Sequence, residues 1–515
     1  MNGAQSLIRT LVDSGVDVCF GNPGTSEMHF VAALDSVPEM RGVLALFEGV
    51  VTGAADGYAR MAGRPAATLL HLGPGLGNGL ANLHNARRAH TPMVNVVGDH
   101  ATYHKKYDAP LESDIDALAG TVSAWVRRST ETAQVGQDAA EAVAASQDGV
   151  ATLILPADVS WSDGGKVAGP VRPVARAEVA DSTIESVAGV LRSDERTVLL
   201  LGGAALGPDG LAAASRIAQA TGVTLLAETF PARLRRGAGV PTVERLGYLA
   251  EQVTYQLTGV TRLVLAGARS PVSFFAYPDK PSDLVPEGAT VHPLAAGTGT
   301  DVLDALTRLA DLVAAGVEPV PAPESRPALP SGALTAQNWV DVIGALLPAE
   351  AIIADEANTS GVLLPAATAG APAHDVLTLT GGAIGYGLPV ATGAAVACPD
   401  RPVICLEADG SAMYTLSALW THAREGLNVT TVVLNNHAYA ILRMELQRVG
   451  AQAGGPKAAE LLDLSRPDLD FVALATGMGV PAGRATTAEE LAEQFAKALA
   501  EPGPHLIEAV VPPLM

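Results

Sequence analysis

Two oxygen-bearing side chains follow neighbouring apolar runs in the last third of the chain. Asp409 comes directly after the run 403–408, and Asn436 comes soon after the run 429–434. A helix-like segment separates the two runs, and a crossover between parallel strands brings both strand ends to one edge of a sheet. A carboxylate and an amide oxygen are suitable ligands for Mg²⁺. The sequence therefore predicts a magnesium site at this edge.

The segment that follows Asp409 is also suited to binding an anion. Gly410 and Ser411 open a helix pattern, and the free N–H groups and partial positive charge of a helix start favour a phosphate group. Together with Mg²⁺, this helix start would let a chain of net charge −21 bind a diphosphate. Asp409 alone could equally be the N-cap of an ordinary helix, so the prediction depends on the whole arrangement.

Alternating apolar runs and helix patterns must position these residues along the 515-residue chain. Continuous apolar strands separated by helices predict parallel sheets covered on both faces. Proline-containing stretches near 169–173 and 317–330 divide the pattern into three parts. We therefore expect an α/β protein with three doubly wound parallel-sheet domains, at residues 1–168, 175–318 and 331–515. The predicted strands are 16–20, 66–71, 92–97, 151–155, 197–201, 223–227, 262–266, 290–294, 352–354, 403–406, 430–434 and 505–510.

The overall composition argues against several other classes of protein. A net charge of −21 and a pI near 4.9 disfavour nucleic-acid binding and docking on an anionic membrane surface. Three cysteines cannot form a disulfide framework in a chain of this length, which favours a cytoplasmic location. We expect no secretory signal and no membrane span.

The segments EADGS (407–411) and LNN (434–436) resemble the cofactor signature of thiamine diphosphate enzymes. Over almost its whole length the chain resembles the acetolactate synthase large-subunit family, and it is also similar to benzoylformate decarboxylases. Ala408 stands where the family signature has glycine. The resemblance implies thiamine diphosphate and Mg²⁺ as cofactors, with the side chains of Asp409 and Asn436 and the carbonyl of Ala438 as metal ligands. It also implies a diphosphate site formed by Gly410, Ser411, Tyr439 and Ala440.

Two further segments of this part of the chain match the same family. Asn358 and Thr359 occupy positions that hydrogen-bond the diphosphate in that family. The segment 381–387 resembles the loop that passes the thiazolium ring of the cofactor. Within it, Gly382 is a cofactor-binding candidate, and Ile384 matches the apolar residue that supports the bent shape of the cofactor. On its own, Ile384 could equally be a core residue.

The N-terminal part of the chain carries the residues expected at the pyrimidine ring. Glu48 precedes the segment ADGYAR (55–60), as in the family. The cofactor uses its own imino group as a base, and a carboxylic acid against N1′ stabilises that tautomer. Asn22, Pro23 and Gly24 resemble the pyrimidine-side loop. A simpler interpretation of Glu48 is a first-turn helix acid.

Three histidines of the N-terminal part allow either a functional or a structural interpretation. His71 follows a predicted strand and matches the active-site histidine of benzoylformate decarboxylase-like proteins, where it would orient a substrate carboxylate or relay protons. It could also be an ordinary structural histidine. His100 and His104 have the spacing of a metal pair on a helix, but no HExxH pattern accompanies them, and we favour a substrate-facing loop.

The predicted function is that of a thiamine diphosphate- and Mg²⁺-dependent 2-oxo acid decarboxylase and carboligase. The resemblance implies acetolactate synthase-like chemistry, two pyruvates giving 2-acetolactate and CO₂, in branched-chain amino acid biosynthesis. It implies a homodimer at minimum, and we expect a homotetramer, because family members place the pyrimidine on one subunit and the diphosphate on another. We expect no tightly bound FAD, because the middle domain has no clear glycine-rich dinucleotide loop.

Three alternatives to this function stay open. One is a non-ligating 2-oxo acid decarboxylase similar to benzoylformate decarboxylase. It is favoured by Glu445, which stands where acetolactate synthases have the tryptophan that helps to select the acceptor. The second is a flavin or nicotinamide oxidoreductase, which would explain three α/β domains but not Glu48. The third is a cofactor-binding protein without turnover.

Overall fold

The computed structural model describes residues 1–451 and 455–512 and contains three β-sheets. The strands of the first sheet are β1 (Val18–Asn22), β2 (Arg41–Leu44), β3 (Ala66–Leu70), β4 (Met93–Asp99), β5 (Trp125–Arg128) and β6 (Val150–Pro156). They are all parallel, in the order β2-β1-β3-β4-β6-β5. The helices of this region are α1 (Gly3–Asp13), α2 (Met28–Leu34), α3 (Glu48–Ala62), α4 (Leu72–Ala89), α5 (Ile115–Gly120), α6 (Val135–Ser146) and α7 (Ala157–Trp161). β3, β4 and β6 are buried along their whole length, as expected for a parallel sheet covered on both faces.

The second sheet belongs to the middle of the chain. Its strands are β7 (Thr197–Leu201), β8 (Thr224–Ala227), β10 (Glu244–Arg245), β11 (Arg262–Ala266) and β12 (Thr290–Ala295), in the parallel order β10-β8-β7-β11-β12. Its helices are α8 (Asp181–Leu191), α9 (Pro208–Thr221), α10 (Ala250–Gln256) and α11 (Val302–Val313). One strand of this region, β9 (Leu234–Arg236), belongs to the third sheet and not to the second.

The third sheet contains six strands from the last part of the chain, β13 (Ile352–Glu356), β14 (His374–Thr378), β15 (Val403–Ala408), β16 (Val429–Asn435), β17 (Ala482–Ala485) and β18 (His505–Val510). With β9 it has seven strands in the order β17-β18-β16-β15-β13-β14-β9. The helices are α12 (Asn338–Leu346), α13 (Leu364–Ala367), α14 (Gly387–Ala397), α15 (Asp409–Thr415), α16 (Ala418–Glu425), α17 (Ala440–Arg448), α18 (Pro456–Glu460), α19 (Phe471–Gly477) and α20 (Ala488–Ala500).

The predicted α/β class with three parallel-dominated sheets is confirmed, with one departure. β9 runs antiparallel to β14, so the third sheet is mixed at that edge. The short segment LRR has no apolar run that would predict a strand. Charge fixes it instead, because Arg235 contacts Asp375 of β14 at 3.3 Å. The middle region is thereby attached to the third sheet.

A helix pair joins the first and third sheets. Every residue of α3 from Glu48 to Met61 is buried, because α14 packs along its outer side. The backbones approach so closely at Gly57 and Gly393 that a side chain at either position would meet the backbone of the other helix. The buried Arg60 strengthens this junction, since it pairs with Asp56 at 2.6 Å and donates to the Thr378 carbonyl at 2.9 Å.

The glycine-rich segment after His71 is helical. The sequence pattern predicts a helix over 79–89, and each glycine within 73–77 would cost a helix about 0.5–1 kcal/mol relative to alanine. In the structure α4 already begins at Leu72, and Gly79 lets it approach α3, where Thr52 donates to the Gly79 carbonyl at 3.0 Å. Close packing therefore overrides the low helix propensity.

Within residues 1–451 and 455–512 no helix has the length and apolar character that a membrane span requires.

Candidate active site

Asp409 and Asn436 meet at the carboxyl edge of the third sheet. Asp409 is the first residue of α15, directly after β15, and Asn436 directly follows β16, the strand paired with β15. Asp409 Oδ2 accepts a hydrogen bond from the backbone N–H of Asn436 at 3.1 Å, and Oδ1 accepts from the N–H of Gly410 at 2.8 Å. The crossover brings the two predicted side-chain ligands together.

The Asp409 carboxyl group is held away from water. It is 2% exposed, and burial raises its pKa, although the N–H groups of Gly410, His437 and Asn436 and the charge of His437 act in the opposite direction. None of these partners is a lysine or arginine side chain. A divalent cation at this point would balance the charge of the ionised carboxylate.

The loop after Asn436 folds around the same point. Asn436 Oδ1 accepts the N–H of Ala438 at 3.0 Å, and the Ala438 carbonyl accepts the N–H of Ala440 at 2.9 Å. Each of these oxygens keeps a second lone pair for a cation. Tyr439 is the N-cap residue of α17, and its ring lies against Gly410 so closely that a larger residue would not fit at position 410. The predicted residues of this loop are therefore gathered at the start of α15.

Asn358 connects a third strand end to this site. It follows β13, the neighbour of β15, and its Nδ2 donates to Ser411 Oγ at 2.9 Å. Thr359 is next to it in the 3₁₀ turn Asn358–Gly361. In the same turn Ser360 Oγ lies 3.4 Å from Asn436 Nδ2. Three adjacent strand ends thus present hydroxyl and amide groups around Asp409.

The loop 381–387, between β14 and α14, is held by side chains of α4. Asn85 and Asn82 donate to two carbonyl oxygens of the loop, at 2.8 and 3.1 Å. Ile384 lies half-buried at the border of the main apolar core. A fixed backbone with a partly exposed apolar side chain is suited to supporting a bound ligand.

Glu48 occupies the other predicted half of the site. It is the first residue of α3 and is 6% exposed. Asn78 Nδ2 donates to its Oε2 at 3.0 Å. A Cβ at Gly75 would lie 3.0 Å from Glu48 Oε1, so the absence of a side chain there lets α4 pass directly beside the carboxyl group. The carboxyl group therefore lies between α3 and the first turns of α4.

His71 is half-buried and pairs with the buried Glu27, a contact that no motif in the sequence indicated. Its Nδ1 lies 2.7 Å from Glu27 Oε2, and the same oxygen accepts the N–H of Gly24 at 2.7 Å. Burial raises the pKa of Glu27, although the Gly24 N–H and His71 act in the opposite direction. The imidazole lies against Gly24, so the predicted loop of Asn22, Pro23 and Gly24 is in contact with His71. The segment NPGTSE contains Glu27, but nothing in its spacing distinguishes Glu27 from an ordinary helix-start acid.

His100 and His104 do not lie on a helix. They belong to an irregular segment after β4, with ring centres 5.3 Å apart. The two residues therefore do not share a helix face, the arrangement that their spacing had left open. No group of three His, Cys, Asp or Glu side chains suited to a metal ion occurs in the part of the chain that the structure describes. The predicted Mg²⁺ site is of a different kind, since it combines one carboxylate with an amide and a carbonyl oxygen.

An aromatic side chain of the middle region, Phe274, lies against the loop 381–387. A Cβ at Gly382 would lie 2.5 Å from Phe274 Cζ, and the Phe274 ring centre is 5.2 Å from that of Tyr248. Tyr248 Oη in turn donates to Glu445 Oε1 at 3.3 Å. Glu445 therefore attaches α17 to the middle region.

Two conserved domain types of one enzyme family match the chain. The N-terminal TPP-binding domain of thiamine pyrophosphate enzymes matches residues 1–119, and their C-terminal TPP-binding domain matches residues 361–509. Thiamine pyrophosphate is the same compound as thiamine diphosphate. The chain therefore belongs to the family of thiamine pyrophosphate-dependent enzymes, as the sequence resemblance predicted.

Individual relatives agree with this family over the full length. The chain is 68% identical over 518 residues, 100% of both chains, to a Mycobacterium tuberculosis protein provisionally named acetolactate synthase large subunit IlvX. It is 30% identical to the benzoylformate decarboxylase of Pseudomonas aeruginosa, over 96% of each chain. Among solved structures, the thiamine diphosphate-dependent 4-hydroxybenzoylformate decarboxylase of Rhodococcus jostii RHA1 superposes with a TM-score of 0.86 at 26% identity, over 99% of each chain.

Proposed function

We propose that this protein is a thiamine diphosphate- and Mg²⁺-dependent enzyme that decarboxylates a 2-oxo acid and joins the product to a second 2-oxo acid. The observation that carries the proposal is the meeting of Asp409, Asn436 and Ala438 at one strand edge, around a buried carboxylate that has no lysine or arginine partner among the described residues. Hard oxygen ligands of this kind suit Mg²⁺, whose remaining positions phosphate oxygens and water would fill.

The residues around that point would hold the diphosphate. Gly410 and Ser411 offer backbone N–H groups at the start of α15, and Asn358, Thr359, Tyr439 and Ala440 surround it. Loop 381–387 would lie along the thiazolium ring, with Gly382 in its backbone and Ile384 against the ring. When bound, the cofactor supplies the electron acceptor that allows CO₂ to leave a 2-oxo acid.

Glu48 would hold a proton against N1′ of the pyrimidine ring, with Asn78 fixing its orientation. The Asn22–Pro23–Gly24 loop would contact the same ring. We propose that these groups act on the cofactor held by a second subunit, in a homodimer that pairs into a homotetramer. Exposed apolar side chains next to the diphosphate residues, namely Val362, Tyr414 and Leu442, support this assembly, because a partner would cover them.

His71 would face the substrate carboxylate. The pairing with Glu27 fixes one nitrogen of the imidazole, so the other nitrogen is left to donate to the substrate or to move a proton.

Acetolactate formation from two pyruvates is our first assignment of substrate, since the 68% identical relative carries that name. It would place the protein in branched-chain amino acid biosynthesis. Simple decarboxylation of an aromatic 2-oxo acid is the second candidate, because Phe274 lies against loop 381–387 with the ring of Tyr248 packed on it, and because two relatives are named for aromatic substrates. Membership of the thiamine pyrophosphate family leaves a flavin or nicotinamide oxidoreductase without support.

The middle sheet supports the expectation that no FAD is tightly bound. The turn after β7 is closed by its neighbour, since a Cβ at Gly202 would lie 2.8 Å from the Gly267 carbonyl oxygen. The N–H of Gly203 is directed at Glu228 Oε1, at 3.4 Å. A carboxylate therefore occupies the place where a nucleotide phosphate would bind. Purified protein with a stoichiometric flavin absorbance band would contradict this expectation.

The decisive experiment is incubation of the purified protein with Mg²⁺ and thiamine diphosphate and with either pyruvate or benzoylformate. We expect CO₂ release together with 2-acetolactate from pyruvate. Benzaldehyde from benzoylformate, without acetolactate from pyruvate, would establish the second candidate instead. No CO₂ from either acid, in protein that binds the cofactor, would overturn the proposed reaction.

A further inference from the structure

Two glutamates lie side by side in the core beneath the glycine-rich loop. Glu356 ends β13, Glu407 is the penultimate residue of β15, and the two are direct partners in the strand pairing. Their exposures are 1% and 0%, and their carboxyl groups are within hydrogen-bonding reach of each other. Two carboxyl groups buried together are costly unless they share a proton and receive other hydrogen bonds.

The backbone at the start of α14 donates four hydrogen bonds to this pair, and the Cys405 thiol lies 3.8 Å from Glu407 Oε2. Glu356 Oε1 accepts the N–H of Gly385 at 2.9 Å, and its Oε2 accepts those of Tyr386 and Gly387 at 2.8 and 2.6 Å. Glu407 Oε2 accepts the N–H of Leu388 at 3.2 Å. These are N–H groups that no preceding helical turn can satisfy, so the pair completes the helix.

The same hydrogen bonds distinguish the two acids. Both oxygens of Glu356 accept N–H groups, and its carboxyl group lies beside the positive end of the helix dipole. Glu407 accepts one backbone N–H, that of Leu388, in the part of the chain that the structure describes. Glu356 is therefore the acid that holds the loop.

Ile384 directly precedes the three residues whose N–H groups Glu356 accepts. On the other side of the loop, Asn82 donates to the Gly385 carbonyl at 3.1 Å and Asn85 to the Ala383 carbonyl at 2.8 Å. The backbone around Ile384 is thus fixed from two directions. α4 holds its carbonyl groups, and Glu356 holds its N–H groups.

We propose that Glu356 is a positioning residue, whose carboxyl group fixes the backbone of residues 385–387 and thereby holds Ile384 at the thiazolium ring of the cofactor. The fixation of the loop follows from contacts within the chain. Its effect on the reaction rests on the proposed function.

The first test is amide hydrogen exchange of the cofactor-free protein, followed by mass spectrometry. In the wild type, the amides of residues 385–387 should exchange as slowly as the interior of α14. Rapid exchange there would overturn the proposal without any variant. In Glu356→Gln the amide group cannot accept all three N–H groups, so exchange across 381–388 should become about tenfold faster.

Glu407→Gln is the matched variant, because its amide can still donate to Glu356 and accept from Leu388. It should accelerate exchange much less than Glu356→Gln. Equal acceleration in both variants, or none in folded Glu356→Gln, would contradict the assignment. Glu356→Asp, whose shorter side chain cannot reach all three donors, gives the same comparison if the glutamine variant does not fold.

A kinetic measurement then separates this proposal from the proposed function. Glu356→Gln should lower kcat about tenfold while KM and the affinity for Mg²⁺ and thiamine diphosphate change little, because the diphosphate residues are intact. Slow exchange in a wild type that is inactive on 2-oxo acids would refute the proposed function alone. An active Glu356→Gln variant with wild-type kcat, despite accelerated exchange, would refute the link between Glu356 and the reaction.

Discussion

His71 Nδ1 and Glu27 Oε2 lie 2.7 Å apart at the carboxyl edge of the first sheet. Glu27 is buried, and its carboxyl group accepts a hydrogen bond from the N–H of Gly24. The position of this carboxyl group is therefore fixed independently of the imidazole. This pair gives the histidine a defined orientation, which a lone histidine at a strand end would lack.

We expect His71→Ala to lower kcat/KM for the accepted 2-oxo acid about 100-fold, because proton transfer and orientation of the carboxylate are lost together. Glu27→Gln should lower it about tenfold, since the imidazole remains but loses its charged partner. Steady-state kinetics with saturating cofactor measure both. His29→Ala is the control, because His29 packs on Trp161, and should match the wild type. Wild-type kinetics in Glu27→Gln would contradict a role for the pair.

Asp409→Asn should weaken binding of thiamine diphosphate in the presence of Mg²⁺ by about 100-fold, because a neutral amide is a poorer ligand for a hard cation. Isothermal titration calorimetry measures the change. Asp400→Asn makes the same chemical change at an exposed turn of the same region and should bind like the wild type. Equal affinity in the wild type and in Asp409→Asn would remove this residue from the metal site.

Arg60→Met should destabilise the protein by about 3–5 kcal/mol, because it leaves Asp56 buried without its partner. Arg64→Met is the matched control. Its ion pair with Asp17 is solvent-exposed and should be worth less than about 1 kcal/mol. Urea denaturation compares the two variants, and equal losses would show that the α3–α14 junction does not depend on the buried pair.

Burial lowers the pKa of His422 to about 4. A histidine with a lowered pKa in the folded state takes up its proton preferentially in the unfolded chain, so stability is complete above about pH 6.5 and falls as the pH drops towards 4. The loss from His422 alone is at most about 3 kcal/mol. The urea midpoint of His422→Gln should therefore decline less between pH 7 and pH 5 than that of the wild type. Parallel declines would show that His422 does not contribute.

The sequence was informative where a residue follows a continuous apolar strand. The buried runs that became β15 and β16 predicted that Asp409 and Asn436 would meet, because a crossover between parallel strands brings both strand ends to one edge of the sheet. By contrast, α4 begins several residues before its predicted start. The cost of glycine in a helix can be predicted from the local sequence, whereas the packing against α3 that compensates it depends on residues distant in the chain. β9 was missed because charged contacts with β14, rather than apolar periodicity, fix it.

Two buried acids could not have been selected from the sequence for a similar reason. Glu27 and Glu356 each lie near a recognised segment, but their roles depend on partners distant in the chain: His71 for one, and the start of α14 for the other. Spacing within a motif does not report such contacts. The roles of Glu48 and of the diphosphate residues stay predictions that rest on the resemblance and on the geometry described above.

The central claim is that the protein binds thiamine diphosphate with Mg²⁺ and activates it through Glu48. Exchange of the cofactor C2 proton for deuterium, followed by quenched-flow NMR, tests this claim without knowledge of the substrate. We expect the wild type to accelerate the exchange strongly, and Glu48→Gln to slow it by about 100-fold or more while the cofactor stays bound. Exchange at the rate of free cofactor in the wild type, or at the wild-type rate in Glu48→Gln, would contradict the account.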